Sequence, residues 1–128
     1  VHLTLCEYAS NHRDGTFTIV RGGIEFFEIF ALPHDALIWL FVEMPPNALP
    51  EGGSGIIIEL YGPAGEVNSK AEGLIVSPRP DQPSRYGIPF NGQFRAFGKW
   101  SVSVRVGTSQ ATLAFDVRPV APVQQPLP

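Results

Sequence analysis

The sequence predicts an all-β domain: an immunoglobulin-like or C2-like antiparallel two-sheet β-sandwich of about eight or nine short strands. Three observations carry that expectation. Thirteen glycines and thirteen prolines are dispersed among 128 residues, and each costs about 1–3 kcal/mol inside a helix. Two segments near the C-terminus alternate strictly between apolar and polar residues, the period of a half-buried strand. Turn-forming clusters recur between short apolar runs at intervals of about 8–12 residues.

The elements follow in chain order. A strand of mixed pattern is expected at 2–9 and a short one at 17–20, separated by turn formers at 10–15 that end in Asp14-Gly15. Arg21-Gly22-Gly23 breaks the chain before a strand at 24–30. That strand is apolar on both faces, with Ile24, Phe26 and Phe30 on one and Phe27 and Ile29 on the other. Every residue of 36–42 is apolar. Such a run is a strand covered on both faces, or one whose outer face meets another subunit. In 55–61, Ile56, Ile58 and Leu60 share one face, opposite Ile57, Glu59 and Tyr61, and Gly62-Pro63-Ala64-Gly65 turns the chain. Weaker strands are expected at 66–68, 73–77 and 87–90. The strictest alternation places Trp100, Val102, Val104 and Val106 inward, then Ala111, Leu113, Phe115 and Val117, a hairpin closed by Gly107-Thr108-Ser109-Gln110. Trp39, Phe41, Phe26 and Phe17 are also expected in the core.

Hydrophobic residues make up 44% of the chain and charged residues 16%, enough apolar surface for one domain at 1–118 without disulfides. Residues 119–128 hold four prolines and no charge, the composition of an extended tail. The net charge of −3 and the absence of adjacent Lys or Arg exclude a nucleic-acid footprint. No apolar run is long enough to insert into a membrane as a helix. A lone Cys6 and an N-terminus without a basic, apolar leader give a cytoplasmic protein as the expectation.

Chemistry-bearing constellations are absent from the sequence. His2, His12 and His34 have no ligand spacing, and one cysteine cannot complete a zinc site. Gly53-Ser54-Gly55 is too short for a nucleophile elbow, and the glycine-rich turns lack the Lys-Ser/Thr of a phosphate cradle. Glu25 and Glu28 fall on opposite strand faces, so no carboxylate pair is set up for glycoside hydrolysis. No catalytic residue, metal ligand or cofactor is therefore expected, and the protein is not expected to be an enzyme.

Two hairpin motifs resemble a family of small uncharacterised bacterial β-sandwich proteins. At the N-terminal end they are Cys6-Glu7-Tyr8-Ala9-Ser10, then Asp14-Gly15-Thr16-Phe17-Thr18-Ile19-Val20, then Gly22-Gly23-Ile24. At the C-terminal end they are Gly98-Lys99-Trp100-Ser101-Val102-Ser103-Val104 and Phe115-Asp116-Val117. The resemblance covers about half the chain, implies a β-sandwich and carries over no catalytic residue. Glu7 stands where the family pattern has Asp, and the tail beyond Arg118 lies outside the pattern.

Aromatic residues are in surplus at 11%. Phe27, Ile29, Ile38, Leu40, Ile57 and Tyr61 cannot all face the core that their neighbours face, so they form a candidate interface with Pro122 and Pro126 of the tail. A second layer made by the chain's own loops or tail is the competing explanation. The expected role is a structural or accessory subunit that associates with itself as a homo-oligomer or with a larger protein assembly. The alternative is a small-ligand or carbohydrate-binding module, which would need Trp39 and Trp100 partly exposed. If the face of Trp100 is core, Trp100→Ala is expected to cost about 3–5 kcal/mol in a denaturant melt. A loss below about 1 kcal/mol would mean that the strand faces the other way.

Overall fold

A computed structural model describes residues 1–12, 16–77 and 79–120. Its ten strands are β1 (His2–Cys6), β2 (Tyr8–Asn11), β3 (Phe17–Val20), β4 (Phe26–Ile29), β5 (His34–Met44), β6 (Ser54–Tyr61), β7 (Val67–Ile75), β8 (Ser84–Phe94), β9 (Gly98–Val106) and β10 (Ser109–Pro119). No helix occurs among the described residues, so none is long and apolar enough to cross a membrane. The strands form three sheets rather than two: β1-β5-β8, β4-β10-β9-β6-β7 and a β2-β3 hairpin. One pair, β4 with β10, is parallel.

The larger sheets pack face to face. Even-numbered residues of β5 point into the core, with Ile38, Leu40 and Val42 opposite Leu3 and Leu5 of β1 and Phe90 of β8 in the ladder. The other sheet contributes Ile56, Ile58, Leu60, Trp100, Val102, Val104, Phe115 and Val117. The β9–β10 hairpin therefore faces as its alternation predicts. Its loop is only Gly107 and Thr108, because Ser109 already pairs with Val106. Gly107 takes a φ of 58°, which suits the first position of a tight hairpin turn. Phe94 meets Trp100 edge-on at 5.2 Å, and Phe27 meets Phe115 at 5.3 Å. The indole N–H of Trp100 donates to the Ala96 carbonyl at 3.0 Å, which satisfies the core's largest polar handle.

The third sheet explains the continuous apolar run. The odd residues Trp39 and Phe41 leave the core and form a second cluster with Cys6, Ala9 and Ile19, under the β2–β3 hairpin. Tyr8 lies edge-on to Trp39 and Phe17 against Phe41, each at 4.9 Å. The mixed pattern expected at 2–9 is a change of layer. Leu3 and Leu5 face the sandwich, the chain bends at Glu7, and β2 begins the hairpin. Asn11 pins the hairpin to β8 by donating to the Arg85 carbonyl and accepting from the Gly87 N–H. The turn expected at Asp14-Gly15 lies outside the described residues.

Three further expectations are corrected. Phe26 faces outward and Phe27 inward, because parallel pairing sets Phe27 beside the core residue Val117. Phe17 is exposed at the rim of the hairpin rather than in the core. The fragments expected at 66–68 and 73–77 join into β7, whose polar middle sits at a sheet edge, and the strand expected at 87–90 lengthens at both ends to β8, with Pro89 inside it. Proline is tolerated there because β8 is also an edge strand.

Hydrogen bonds bridge the two larger sheets along both sides. Between β7 and β8, Ser69 Oγ donates to the Asn91 carbonyl at 3.0 Å and the Gln93 N–H donates to Asn68 Oδ1 at 3.1 Å. On the other side, Gly23 and Ile24 donate to the Leu5 carbonyl, and Asp116 donates to the Glu25 carbonyl. Residues 23–29 thus form a strap across the seam where β1 approaches β10.

Gly87 sets how closely the hairpin lies on its sheet, since a Cβ there would sit 2.5 Å from the Ala9 carbonyl oxygen. Gly87→Ala is expected to lift the hairpin and cost about 1–3 kcal/mol, as overpacking does. Trp39 emission would shift to the red in the same variant. Unchanged emission and an unchanged melt would show that the hairpin is not held at this point.

Candidate functional site

The strap divides the seam into two grooves. One, of about 420 Å³, is lined by Leu3, Leu5, Ile24, Leu113 and Phe115, with Glu25, Lys99 and Asp116 around it. The other, of about 510 Å³, is lined by Cys6, Ile24, Phe26, Phe27 and Leu37, with Glu7, Arg21 and Glu28 as its charged residues. Ile24 borders both. Its position follows from the Arg21-Gly22-Gly23 break, where Arg21 and Gly23 take φ values of 51° and 82°. That left-handed bend turns the chain away from β3 and onto the seam.

The second groove mixes apolar side chains with the charged Glu7, Arg21 and Glu28. Arg21 Nη1 donates to Glu7 Oε1 at 2.8 Å, an exposed pair that contributes about 0–1 kcal/mol. Arg118 lies over the Phe26 ring at 4.5 Å and leaves 42% of that residue exposed, while Leu37 is 56% exposed. Phe30, just beyond β4, is 90% exposed. Large apolar residues clustered at a concave surface are unusual on a solvated protein.

The residues singled out from the sequence do not share one surface. Ile29, Ile38 and Leu40 are core residues at 5%, 1% and 0% exposure, because the alternation of β4 and β5 turns them into the sandwich. Phe27 is half-buried, with its ring against Phe94 and Phe115. Ile57 and Tyr61 are half-buried on the outer face of the five-stranded sheet. The Tyr61 hydroxyl donates to Glu59 Oε2 at 3.0 Å, and that carboxylate raises the phenol's pKa. Pro122 and Pro126 lie outside the described residues. Sequence reasoning passed over Leu37 and placed Phe26 inside. The signal for Leu37 was the odd parity it shares with Trp39 and Phe41, on a face too long for one four-residue hairpin strand to cover.

The ionisable groups are dispersed. His2 Nδ1 lies 3.5 Å from Glu43, His12 Nε2 is 2.6 Å from Thr18 Oγ1, and the His34 ring stacks on Phe94. Among the described residues, no group of three or more His, Cys, Asp or Glu could hold a metal ion. No family model, curated protein or solved structure matches the chain.

Cys6 borders the second groove, yet its thiol is buried and lies 3.6 Å from the Trp39 carbonyl. Burial raises its pKa above the usual 9.0, against a smaller lowering by a backbone hydrogen bond at Tyr8. The thiolate is the nucleophile, so disulfide reagents at about pH 8 are expected to react at least about tenfold faster with the unfolded chain than with the native one. Because the folded pKa is the higher, the thiol's contribution to stability is full below about pH 9 and is lost as pH rises through the folded value. Equal native and unfolded labelling rates would show that Cys6 is accessible.

Proposed function

We propose that the protein is a non-catalytic structural or accessory subunit that joins a larger protein assembly through the groove beside β4. The observation that carries this reading is the exposure of Phe26 and Leu37 at a concave opening. A partner side chain seated there would cover apolar surface at roughly 25 cal/mol per Å² while leaving the Glu7–Arg21 pair in water at the rim. The proline-rich residues 121–128, with Pro122 and Pro126, complete the proposal as a second contact. Carbohydrate binding through tryptophan platforms finds less support, because Trp100 is in the core and Trp39 packs against Tyr8 beneath the hairpin.

The test is a peptide-display selection on the full chain, followed by titration of the selected peptides. Peptides with a large apolar residue are expected to bind and to lose at least about tenfold in affinity on Leu37→Glu. Ile57→Glu, on the outer face of the other sheet, leaves that affinity unchanged. Failure to enrich any sequence, or equal binding by the two variants, would overturn the proposal.

A further inference from the structure

β4 borders the second groove with a backbone edge that has no ladder partner. Glu25 and Ile29 accept from Asp116 and Val120, so odd-numbered residues of β4 turn their backbone groups toward β10. The N–H and C=O of Phe26 and Glu28 therefore point the other way, where no strand lies beside β4 among the described residues. Other sheet edges are engaged. Gly23 and Ile24 cover β1 at Leu5, and β7 and β8 bond to each other through Ser69, Asn91, Asn68 and Gln93.

The side chains of this edge add a ring and a charge. Phe26 and Glu28 are both exposed and, two residues apart on a strand, share one face. Arg118 lies across the ladder from Glu28 but is turned to Asp116 and to the Phe26 ring. Within the groove, Arg21 is matched by Glu7. Glu28 has no ion pair among the described residues, so the groove keeps an uncompensated negative charge.

We infer that the groove takes its partner as an added β-strand. The partner is an extended segment antiparallel to β4, with a basic residue opposite Glu28 and, two residues later, a large apolar residue opposite Phe26. This rests on the groove reading above and names the form and charge of what the groove accepts. In that register both opposed pairs exchange N–H···O=C bonds in each direction. The basic side chain meets Glu28, and the apolar one covers the exposed Phe26 ring, as cross-strand neighbours on one face do. The residue between them lies opposite Phe27, shares its inward face and makes no backbone bond to β4. Main-chain bonds hold the segment, and the alternate side chains select it.

The probe is the acetylated and amidated peptide Thr-Lys-Val-Leu-Thr, titrated into the full chain by NMR, with amide hydrogen exchange on the same samples. Binding is expected to shift and protect the Phe26 and Glu28 amides. N-methylation of the peptide's Lys or Leu nitrogen removes a bond to β4 and weakens binding at least about fivefold. N-methylation of its Val, whose nitrogen points away from β4, changes binding less than about twofold. Glu28→Lys weakens the probe about twofold to fivefold, and a probe with Glu in place of Lys recovers the loss. Equal effects of all three methylations overturn the strand mode, yet leave the groove reading standing where Leu37→Glu still abolishes binding. That reading fails where Leu37→Glu leaves binding unchanged. A probe that moves neither amide at millimolar concentration overturns the inference. So do Phe26 and Glu28 amides already protected in the chain alone, because its own tail or a second copy would then hold that edge.

Discussion

The constraint on which the rest of the structure depends is that β5 is apolar on both faces. A strand at the centre of a three-stranded sheet has two faces to cover, and the opposing sheet covers only the one that carries Ile38, Leu40 and Val42. Trp39 and Phe41 need a cover of their own, and the chain supplies it by bending at Glu7 and laying the β2–β3 hairpin over them. Burying an aromatic contributes up to about 1.5–3 kcal/mol, toward holding a short hairpin that would be marginal on its own. Having laid β2 and β3 on the outside of the molecule, the chain must return across the seam to reach β10. The strap at 23–29, the parallel β4–β10 pairing and the two grooves all follow from that return path.

Legibility in the sequence varied with how much each element depends on its own residues. The β9–β10 hairpin was legible in its facing, because alternation fixes it, but not in its register, since the turn expected at Gly107–Gln110 closes in two residues with Ser109 opposite Val106. β5 was legible as a two-faced strand, with its second cover left open between a partner and the chain itself. β7 was broken in two because an edge strand with a solvated outer side keeps Ser69, Lys70 and Glu72 without any apolar period. β8 was legible only at 87–90, through Pro89, and its continuation to Ser84 and Phe94 was not. The facing of β4 was not available locally at all. Phe26 and Phe27 are equivalent by composition, and only pairing with Val117 on a distant strand decides between them.

The same dependence explains the candidate interface. Counting apolar residues in excess of one face singled out Phe27, Ile29, Ile38 and Leu40, which belong to or pack against the two-sheet core. It could not say which were absorbed by a third layer. Ile29, Ile38 and Leu40 went to the core, while Phe26 and Leu37 were left at the seam. Exposure on this fold is set by where the strap and hairpin end, a long-range property that no local window of sequence carries.

The side-chain stitching between β7 and β8 has a mechanical consequence. At Gly92 the two sheets approach so closely that a Cβ would meet Leu60 Cδ2 at 2.5 Å, and Asn68 and Ser69 bond across the same junction. That side acts as the spine of a book, and the opposite side is held by the strap and by the approach of β1 to β10. A spreading of the sheets therefore opens like a page about the β7–β8 spine, with its widest displacement at β1, β4 and β10. Whatever seats itself along that fore-edge also sets how far the book can open.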